Sequence, residues 1–408
     1  MKDERKTAPV IRFNGFSDAW EQRKLGDESD VRDGTHDSPQ YFDTGYPLVT
    51  SKNLKNHGLD LKDVSLIAEA DYNAINHRSK VDEGDILFGM IGTIGNPVLV
   101  RQTNFAIKNV ALIKEHKRIL NQFLIQLLKS PVFERYIKSE NAGGTQKFLA
   151  LSKIRSFEFK VPNLEEQQKI GTFFKQLDNT IALHQRKLDT LKLMKKGFLQ
   201  QMFPEKGEKV PKLRFADFEE EWEQRKLGEY GEFYYGKSAP KWSVTEDAVI
   251  PCVRYGELYT KFGAKIDRIY SYTNIPKENL KFSTGYEVLV PRVGENPLEF
   301  AKCSWLKIPN VAIGEMISVY NTKQNPLFIA IYFRAKMRIE FAKRVEGGNV
   351  SNLYYSYLEN ILLSIPSIGE QVRIAKIFSK LDDIINLQQN KIDKFKNLKK
   401  SYLQNMFI

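Results

Sequence analysis

The sequence predicts an α+β protein built twice. Each half is a domain with a curled mixed sheet, followed by a long helix, and the two helices carry coiled-coil seams related by a pseudo-twofold duplication. Three observations predict this: the chain repeats itself at half its length, short apolar runs alternate with turn residues, and an apolar heptad seam recurs once in each half.

The repeat is explicit at the start of each half. Residues 12–26 read Arg-Phe-Asn-Gly-Phe-Ser-Asp-Ala-Trp-Glu-Gln-Arg-Lys-Leu-Gly, and residues 214–228 read Arg-Phe-Ala-Asp-Phe-Glu-Glu-Glu-Trp-Glu-Gln-Arg-Lys-Leu-Gly. Trp20 and Trp222 stand 202 residues apart. Asn109-Val-Ala pairs with Asn310-Val-Ala, Gly143-Gly144 with Gly347-Gly348, Pro162 with Pro366, and Glu166-Gln167 with Glu370-Gln371. Leu199-Gln200-x-Met202-Phe203 returns as Leu403-Gln404-x-Met406-Phe407. Between these anchors, residues 31–80 and 233–282 have diverged, so a shared frame holds a private insert. The expected division is 1–162 (first domain), 163–204 (first helix), 205–366 (linker and second domain) and 367–408 (second helix).

Within each domain, runs such as Gly84-Asp-Ile-Leu-Phe, Pro97-Val-Leu-Val, Asn109-Val-Ala-Leu-Ile, Glu287-Val-Leu-Val and Leu327-Phe-Ile-Ala-Ile-Tyr-Phe read as strands punctuated by Gly, Asn and Pro. A helix from Leu120 to Tyr136 interrupts the first set, with a counterpart near Pro326 to Phe341. The long helices follow. Phe174, Leu177, Ile181, His184, Leu188 and Leu191 form one seam, and Phe378, Leu381, Ile385, Gln388, Ile392 and Phe395 form the other. His184 matches Gln388, and Lys195 matches Lys399. Polar seam residues select one register over slipped ones; the alternative for His184 is a ring leaning to solvent.

Composition narrows the class. The 408 residues suffice for two to three domains at roughly 150 residues each. Hydrophobic residues make up 42% and aromatics 12%, enough to fill cores. No apolar run reaches the length of a membrane span, and the N-terminus reads as no secretory leader, so the expected location is the cytoplasm. Cys252 and Cys303 are isolated, which excludes a zinc or disulfide framework and leaves two small buried hydrophobes. Lys and Arg number 62 against 50 acidic residues, a net charge of +12 that suits a phosphate-rich partner.

Catalytic patterns are missing. There is no phosphate-cradling Gly-x-x-x-x-Gly-Lys-Ser/Thr loop, and Gly89-x-x-Gly92-x-x-Gly95 reads as tight turns beside a strand. Asn96-Pro97-Val98 and Asn296-Pro297-Leu298 lack the second proline and the aromatic of an adenine methyltransferase loop. The five histidines, all in the first half, show no metal-binding spacing. Glu115-His116-Lys117 with Asp85 upstream could form a metal-dependent nuclease core, but the second half has no equivalent at Met316. The inserts instead carry base-reading and phosphate-positioning chemistry. In the first half these candidates are Asp33, Gly34, Thr35, His36, Lys52, Asn53, Lys55, Gly143, Gly144, Thr145, Gln146 and Lys147. In the second they are Lys237, Ser238, Arg254, Tyr255, Arg292, Gly348 and Asn349.

Taken in this order, twice, the anchors resemble the DNA-specificity subunit of type I restriction–modification systems. The resemblance rests on the doubled Trp-Glu-Gln-Arg-Lys-Leu-Gly, on Asp33-Gly-Thr-His36, on Gly84-Asp-Ile-Leu with Gly92-Thr-x-Gly95, and on Pro-x-x-x-Glu-Gln opening each long helix. It implies two target-recognition domains, each reading half of a split site in double-stranded DNA, with the two helices packed as an antiparallel coiled coil that holds them at fixed separation. It further implies a non-catalytic subunit without a cofactor, serving two methyltransferase subunits and two motor–nuclease subunits. Those partners would use S-adenosylmethionine, ATP and Mg. Tyr235-Gly-Lys-Ser238 stands where the first half has Asp33-Gly-Thr-His36, so the two domains should read different half-sites. The rivals are a metal-dependent nuclease with a duplicated core and a coiled-coil adaptor that binds no DNA.

Overall fold

The architecture follows from where apolar residues fall on one or both faces of each strand. A computed structural model describes residues 8–55, 58–115, 118–140, 148–205 and 207–408. The chain forms two compact units, one drawn from Met1–Gln185 with Asn390–Ile408, the other from Arg186–Gln389. Both are mixed α+β. The units cut across the linear division expected above. Met406 and Phe407, at the very end of the chain, join the core of the first unit, while Met202 and Phe203 join that of the second.

In the first unit a four-stranded antiparallel sheet runs Val31–Asp33, Val110–Ile113, Ile86–Gly89, Gly95–Leu99. All four residues of Ile86–Gly89 are buried. Successive side chains point to opposite faces, so Ile86 and Phe88 enter one core and Leu87 the other. A second sheet joins Tyr46–Val49 antiparallel to Ser65–Ile67 and parallel to Ala106–Ile107.

The second unit repeats this plan. A five-stranded sheet runs Gly231–Tyr235, Ile317–Thr322, Glu287–Pro291, Ser304–Leu306, Lys265–Ile266. A three-stranded one joins Ile250–Val253 antiparallel to Ser271–Thr273 and parallel to Ala312–Ile313. Val288 and Val290 face one core and Leu289 the other.

This pairing corrects one anchor of the repeat. Ala106–Ile107 and Ala312–Ile313 occupy the same place, so Asn310-Val-Ala corresponds to Asn104-Phe-Ala and not to Asn109-Val-Ala. Val110–Ile113 instead corresponds to Ile317–Thr322, since each lies between the strand that opens the domain and its central strand.

The frame motifs form the joint between domain and long helix. Glu21–Lys24 pairs antiparallel with Glu158–Val161, and Glu223–Lys226 with Leu362–Ile365. The long helices span Leu164–Gln201 and Ile368–Asn405. Arg12 donates twice to Glu166 (2.8 and 2.7 Å), and Arg214 does the same to Glu370 (2.9 and 2.8 Å). The Gln167 amide donates to the Pro162 carbonyl and accepts from the Leu120 N–H, as Gln371 does with Pro366 and Asn325. Trp20 packs edge-on to Phe123, and Trp222 to Phe328.

Three expected elements differ. The helix placed at Leu120–Tyr136 is two, Asn121–Leu128 and Pro131–Glu140, because Pro131 has no N–H to continue the first and suits a helix start. Its counterpart divides into Pro326–Lys336 and Arg338–Ala342. The run Leu327–Phe333 is therefore helical. Asn325 caps it by accepting from the Phe328 N–H, Pro326 starts it, and burial on all sides explains the missing periodicity. No helix among the described residues is long and apolar enough to cross a membrane.

Every residue assigned to the two seams is buried or half-buried. Leu188 and Ile392 are fully so, and Gln388 is buried. The His184 ring lies on that of Phe395, centroids 5.3 Å apart. Lys399 donates to Asp178 at 2.6 Å, and Lys195 donates to Asp382, so both seam lysines meet carboxylates.

Candidate nucleic-acid interface

In each unit the first strand of the main sheet ends in a tight turn held against the end of the parallel strand of the second sheet, Ala106–Ile107 or Ala312–Ile313. In the first unit Gly34 donates to the Val110 carbonyl (3.0 Å) and Thr35 to that of Ile107 (3.0 Å). In the second Gly236 donates to Ile317 (3.0 Å) and Lys237 to Ile313 (2.9 Å). Both turns demand glycine for the same reason. A Cβ on Gly34 would sit 2.2 Å from the Ile107 oxygen, and one on Gly236 would sit 2.1 Å from the Gly314 oxygen. The backbone is thus common to both units while the side chains around it differ.

The first turn carries a charged relay. The His36 ring lies 2.7 Å (Nδ1) from Asn109 Oδ1 and 2.8 Å (Nε2) from Asp33 Oδ2. Two oxygen acceptors require both ring nitrogens to donate, which favours imidazolium. The hydrogen bond to Asp33, then that to Asn109, holds the His36 pKa above its ordinary value. Arg78 Nη2 donates to Asp33 Oδ1 (3.1 Å) and to the Gly34 carbonyl (2.9 Å), and Lys108 Nζ donates to Ser38 (2.5 Å). Sequence reasoning missed Arg78, Asn109 and Lys108. Arg78 sits on helix Glu69–Ser79, and only the fold brings it to the turn.

The second turn replaces the relay with cations and aromatic faces. The Arg292 guanidinium lies 4.6 Å from the Tyr235 ring centroid, and Lys281 Nζ lies 5.1 Å from that of Tyr234 while donating to the Tyr235 carbonyl at 3.0 Å. Lys237 is exposed and Ser238 half-buried with φ of 62°. The Leu353 N–H donates to the Arg292 carbonyl as that of Leu149 does to Met90, so Arg292 takes the place of an apolar residue in the other unit.

The remaining candidates are dispersed. Lys52 and Lys55 are exposed near the first turn's sheet. Asn53 is corrected: it is 2% exposed, its amide donates to the Asp60 and Asp63 carbonyls, and its oxygen accepts from Thr50. It closes a loop and has no group left for a base. Arg254 is half-buried and starts a short helix whose Glu257 accepts from its N–H; Tyr255 beside it is exposed. Gly348 and Asn349 are exposed. Gly143, Gly144, Thr145, Gln146 and Lys147 lie outside the described residues.

The suspected nuclease carboxylates are engaged elsewhere. Asp85 takes Lys114 Nζ at 2.6 Å and the Asp82 N–H at 2.7 Å, and Glu115 accepts from the Asn121 N–H at 3.1 Å. Among the described residues, no group of three or more His, Cys, Asp or Glu is placed to hold a metal. Gly92 and Gly95 adopt φ of 73° and 105° in the turn between Ile86–Gly89 and Gly95–Leu99.

Comparison with known proteins agrees with this twofold plan. The MjaIX specificity subunit of a type I restriction enzyme from Methanocaldococcus jannaschii is 23% identical over 368 residues, covering 85% of this chain and 83% of that protein. The crystal structure of a type I restriction–modification S subunit from M. genitalium superposes with a TM-score of 0.64 at 13% identity, over 98% of this chain and 99% of that one. A second structure, from work on complex assembly and conformational transition of the type I system, gives 0.55 at 17% identity over 94% and 96%. The family described as the type I restriction modification DNA specificity domain matches residues 17–193 and again 219–397. The chain belongs to that family and carries its domain twice.

Proposed function

We propose that this chain is the DNA-reading subunit of a type I restriction–modification complex, each unit recognising one half of a split site through its turn and neighbouring loops. The observation that carries the reading is the doubled turn: one backbone, fixed by Gly34 and Gly236, with a His–Asp–Arg cluster in one unit and Lys, Arg and tyrosines in the other. Equal scaffolds with unequal side chains suit two different half-sites. Asp33, Thr35, His36, Lys52, Lys55, Lys237, Ser238, Arg254, Tyr255, Arg292 and Asn349 remain the candidate contacts.

The long helices act as an antiparallel coiled coil that fixes the gap. Support comes from contacts inside each unit. Phe173 meets Tyr402, Asp178 meets Lys399 and His184 meets Phe395; separately, Lys195 meets Asp382 and Phe203 meets Phe378. Numbers rise on one helix as they fall on the other. The subunit itself cuts and methylates nothing. It serves two methyltransferase subunits, which use S-adenosylmethionine, and two motor–nuclease subunits, which use ATP and Mg.

Methylome sequencing of cells carrying this chain with its partners tests the reading. The expected result is methylation at one asymmetric split site, and complex affinity for that site falling linearly in log[salt]. Absence of any new methylated motif, or magnesium-dependent DNA cleavage by the isolated chain, would overturn it in favour of the nuclease.

A further inference from the structure

One tryptophan is exposed where the other three are buried or half-buried. Trp20 and Trp222 are 4% and 1% exposed, and the Trp305 indole donates to the Gly285 carbonyl at 2.8 Å. Trp242 is 73% exposed. It sits in the 3-10 turn Lys241–Ser243, a few residues beyond the Gly236 turn. The loop that follows the Gly34 turn in the other unit carries Tyr41 and Phe42, 51% and 44% exposed.

These aromatics are presented on braced backbone. Ser243, next to Trp242, is fully buried. Its hydroxyl donates to the Pro240 carbonyl (2.8 Å) and accepts from Thr273 (2.8 Å), and its carbonyl accepts from the Asn274 N–H (3.1 Å). In the first unit the Phe42 N–H donates to the Leu66 carbonyl at 3.0 Å. Leu66 lies on Ser65–Ile67 and Thr273 ends Ser271–Thr273, the strands that take the same place in the two second sheets. The same strand therefore braces the aromatic segment in both units. Cations stand near it along the chain: Lys241 is exposed next to Trp242, Lys237 is exposed in the preceding turn and donates to the Glu278 carbonyl, and Lys108 donates to Ser38 ahead of Tyr41.

We propose that Trp242 in one unit and Tyr41-Phe42 in the other are apolar DNA contacts that pack against the bases of the half-site each unit reads. This deepens the DNA-reading role proposed above and rests on it. A flat ring on braced backbone, with lysines beside it for phosphates, can stack on a base or wedge into a deformable base step. The comparison between units favours DNA over a protein partner. A partner that meets both units should find the same side chains twice, as the strands Glu21-Gln-Arg-Lys24 (half-buried only at Arg23) and Glu223-Gln-Arg-Lys226 (exposed throughout) offer. The aromatic segments differ instead, Tyr-Phe against Trp-Ser, and so vary as two half-sites would.

The test uses the full chain and a fluorescein-labelled duplex carrying the methylated site, with binding read by anisotropy and, on unlabelled duplex, by tryptophan emission. Wild-type emission should be quenched on binding. Trp242→Phe should keep affinity within a few-fold yet lose most of the quench, which assigns it to Trp242. Trp242→Ala should weaken binding roughly tenfold, the scale of one base–aromatic stack, and Tyr41→Ala/Phe42→Ala should do likewise. Normal binding by Trp242→Ala with an unchanged quench overturns the inference and leaves the DNA-reading role standing. So does loss of methyltransferase co-purification at unchanged DNA affinity, which would make Trp242 a protein contact. No binding by the wild-type chain to any duplex would overturn both.

Discussion

Lys129 and Arg334 occupy the same place in the two units, and substitution to methionine should move stability in opposite directions. Each lies six residues beyond the phenylalanine, Phe123 or Phe328, that packs on the repeated tryptophan; Lys129 caps the C-terminus of Asn121–Leu128, and Arg334 stands in the last turn of Pro326–Lys336. Lys129 is half-buried, and desolvation, then repulsion from Lys399, lowers its pKa from 10.5 to about 8. Asp178, the nearby carboxylate, already takes Lys399 at 2.6 Å. Below pH 8 the ammonium is charged in both the folded and unfolded states, and the folded state bears the full cost. Between pH 8 and 10.5 the folded protein releases a proton that the unfolded chain keeps, so stability rises with pH across that window. Two and a half pH units correspond to about 3 kcal/mol. Lys129→Met should therefore stabilise the helix Asn121–Leu128 by up to about that amount at pH 7, raising its hydrogen-exchange protection roughly ten- to a hundredfold, with little gain above pH 10.5. Arg334 is different. Burial lowers its pKa too, but its guanidinium donates to the carbonyls of Cys303 (2.6 Å), Gly263 (2.8 Å) and Phe262 (3.1 Å). Arg334→Met strands those acceptors at about 1–3 kcal/mol each, so protection of Pro326–Lys336 should fall. Two shifts of the same sign would refute the reasoning.

Other consequences are measurable. Breaking the buried pair between Arg12 (13% exposed) and Glu166 (0%) by Arg12→Ala should cost about 3–5 kcal/mol in denaturant unfolding, and Arg214→Ala should match it; a loss under about 1 kcal/mol would make the pair decorative. Because its hydrogen bonds raise the His36 pKa, its contribution is present below the ordinary value and lost as pH rises through the folded one. NMR should find its midpoint above 6.5, and Asp33→Asn should bring it down; an unmoved midpoint would break the relay. Inserting four residues between Leu188 and Lys195 lengthens the helix by about 6 Å, close to two base pairs. The methylated half-sites should stay the same with a wider gap, and an unchanged gap would deny the helices a spacing role.

The fold class and duplication were legible because frame residues repeat with their physics intact. Trp20 and Trp222 fill equivalent cores, and Glu166-Gln167 and Glu370-Gln371 make the same bonds. The burial of the residues at heptad spacing in the long helices was legible because that spacing reports burial directly. The helix Pro326–Lys336 was not: an element buried on every side loses the periodicity that tells helix from strand. Nor was the true register of the repeat, since Asn-Val-Ala recurs by chance five residues from its structural counterpart, and only strand pairing separates the two.

What the sequence by itself determined is the twofold frame and its family. The tertiary structure decided what each candidate does. Asn53 and His36 are both polar residues near a turn, yet Asn53 faces inward and spends every hydrogen bond on backbone, while His36 faces out between Asp33 and Asn109. Arg78 comes from 45 residues along the chain to join them. Composition and spacing constrain what neighbours in sequence can form. A binding surface is made by neighbours in space, and those are chosen by how the sheets and helices pack.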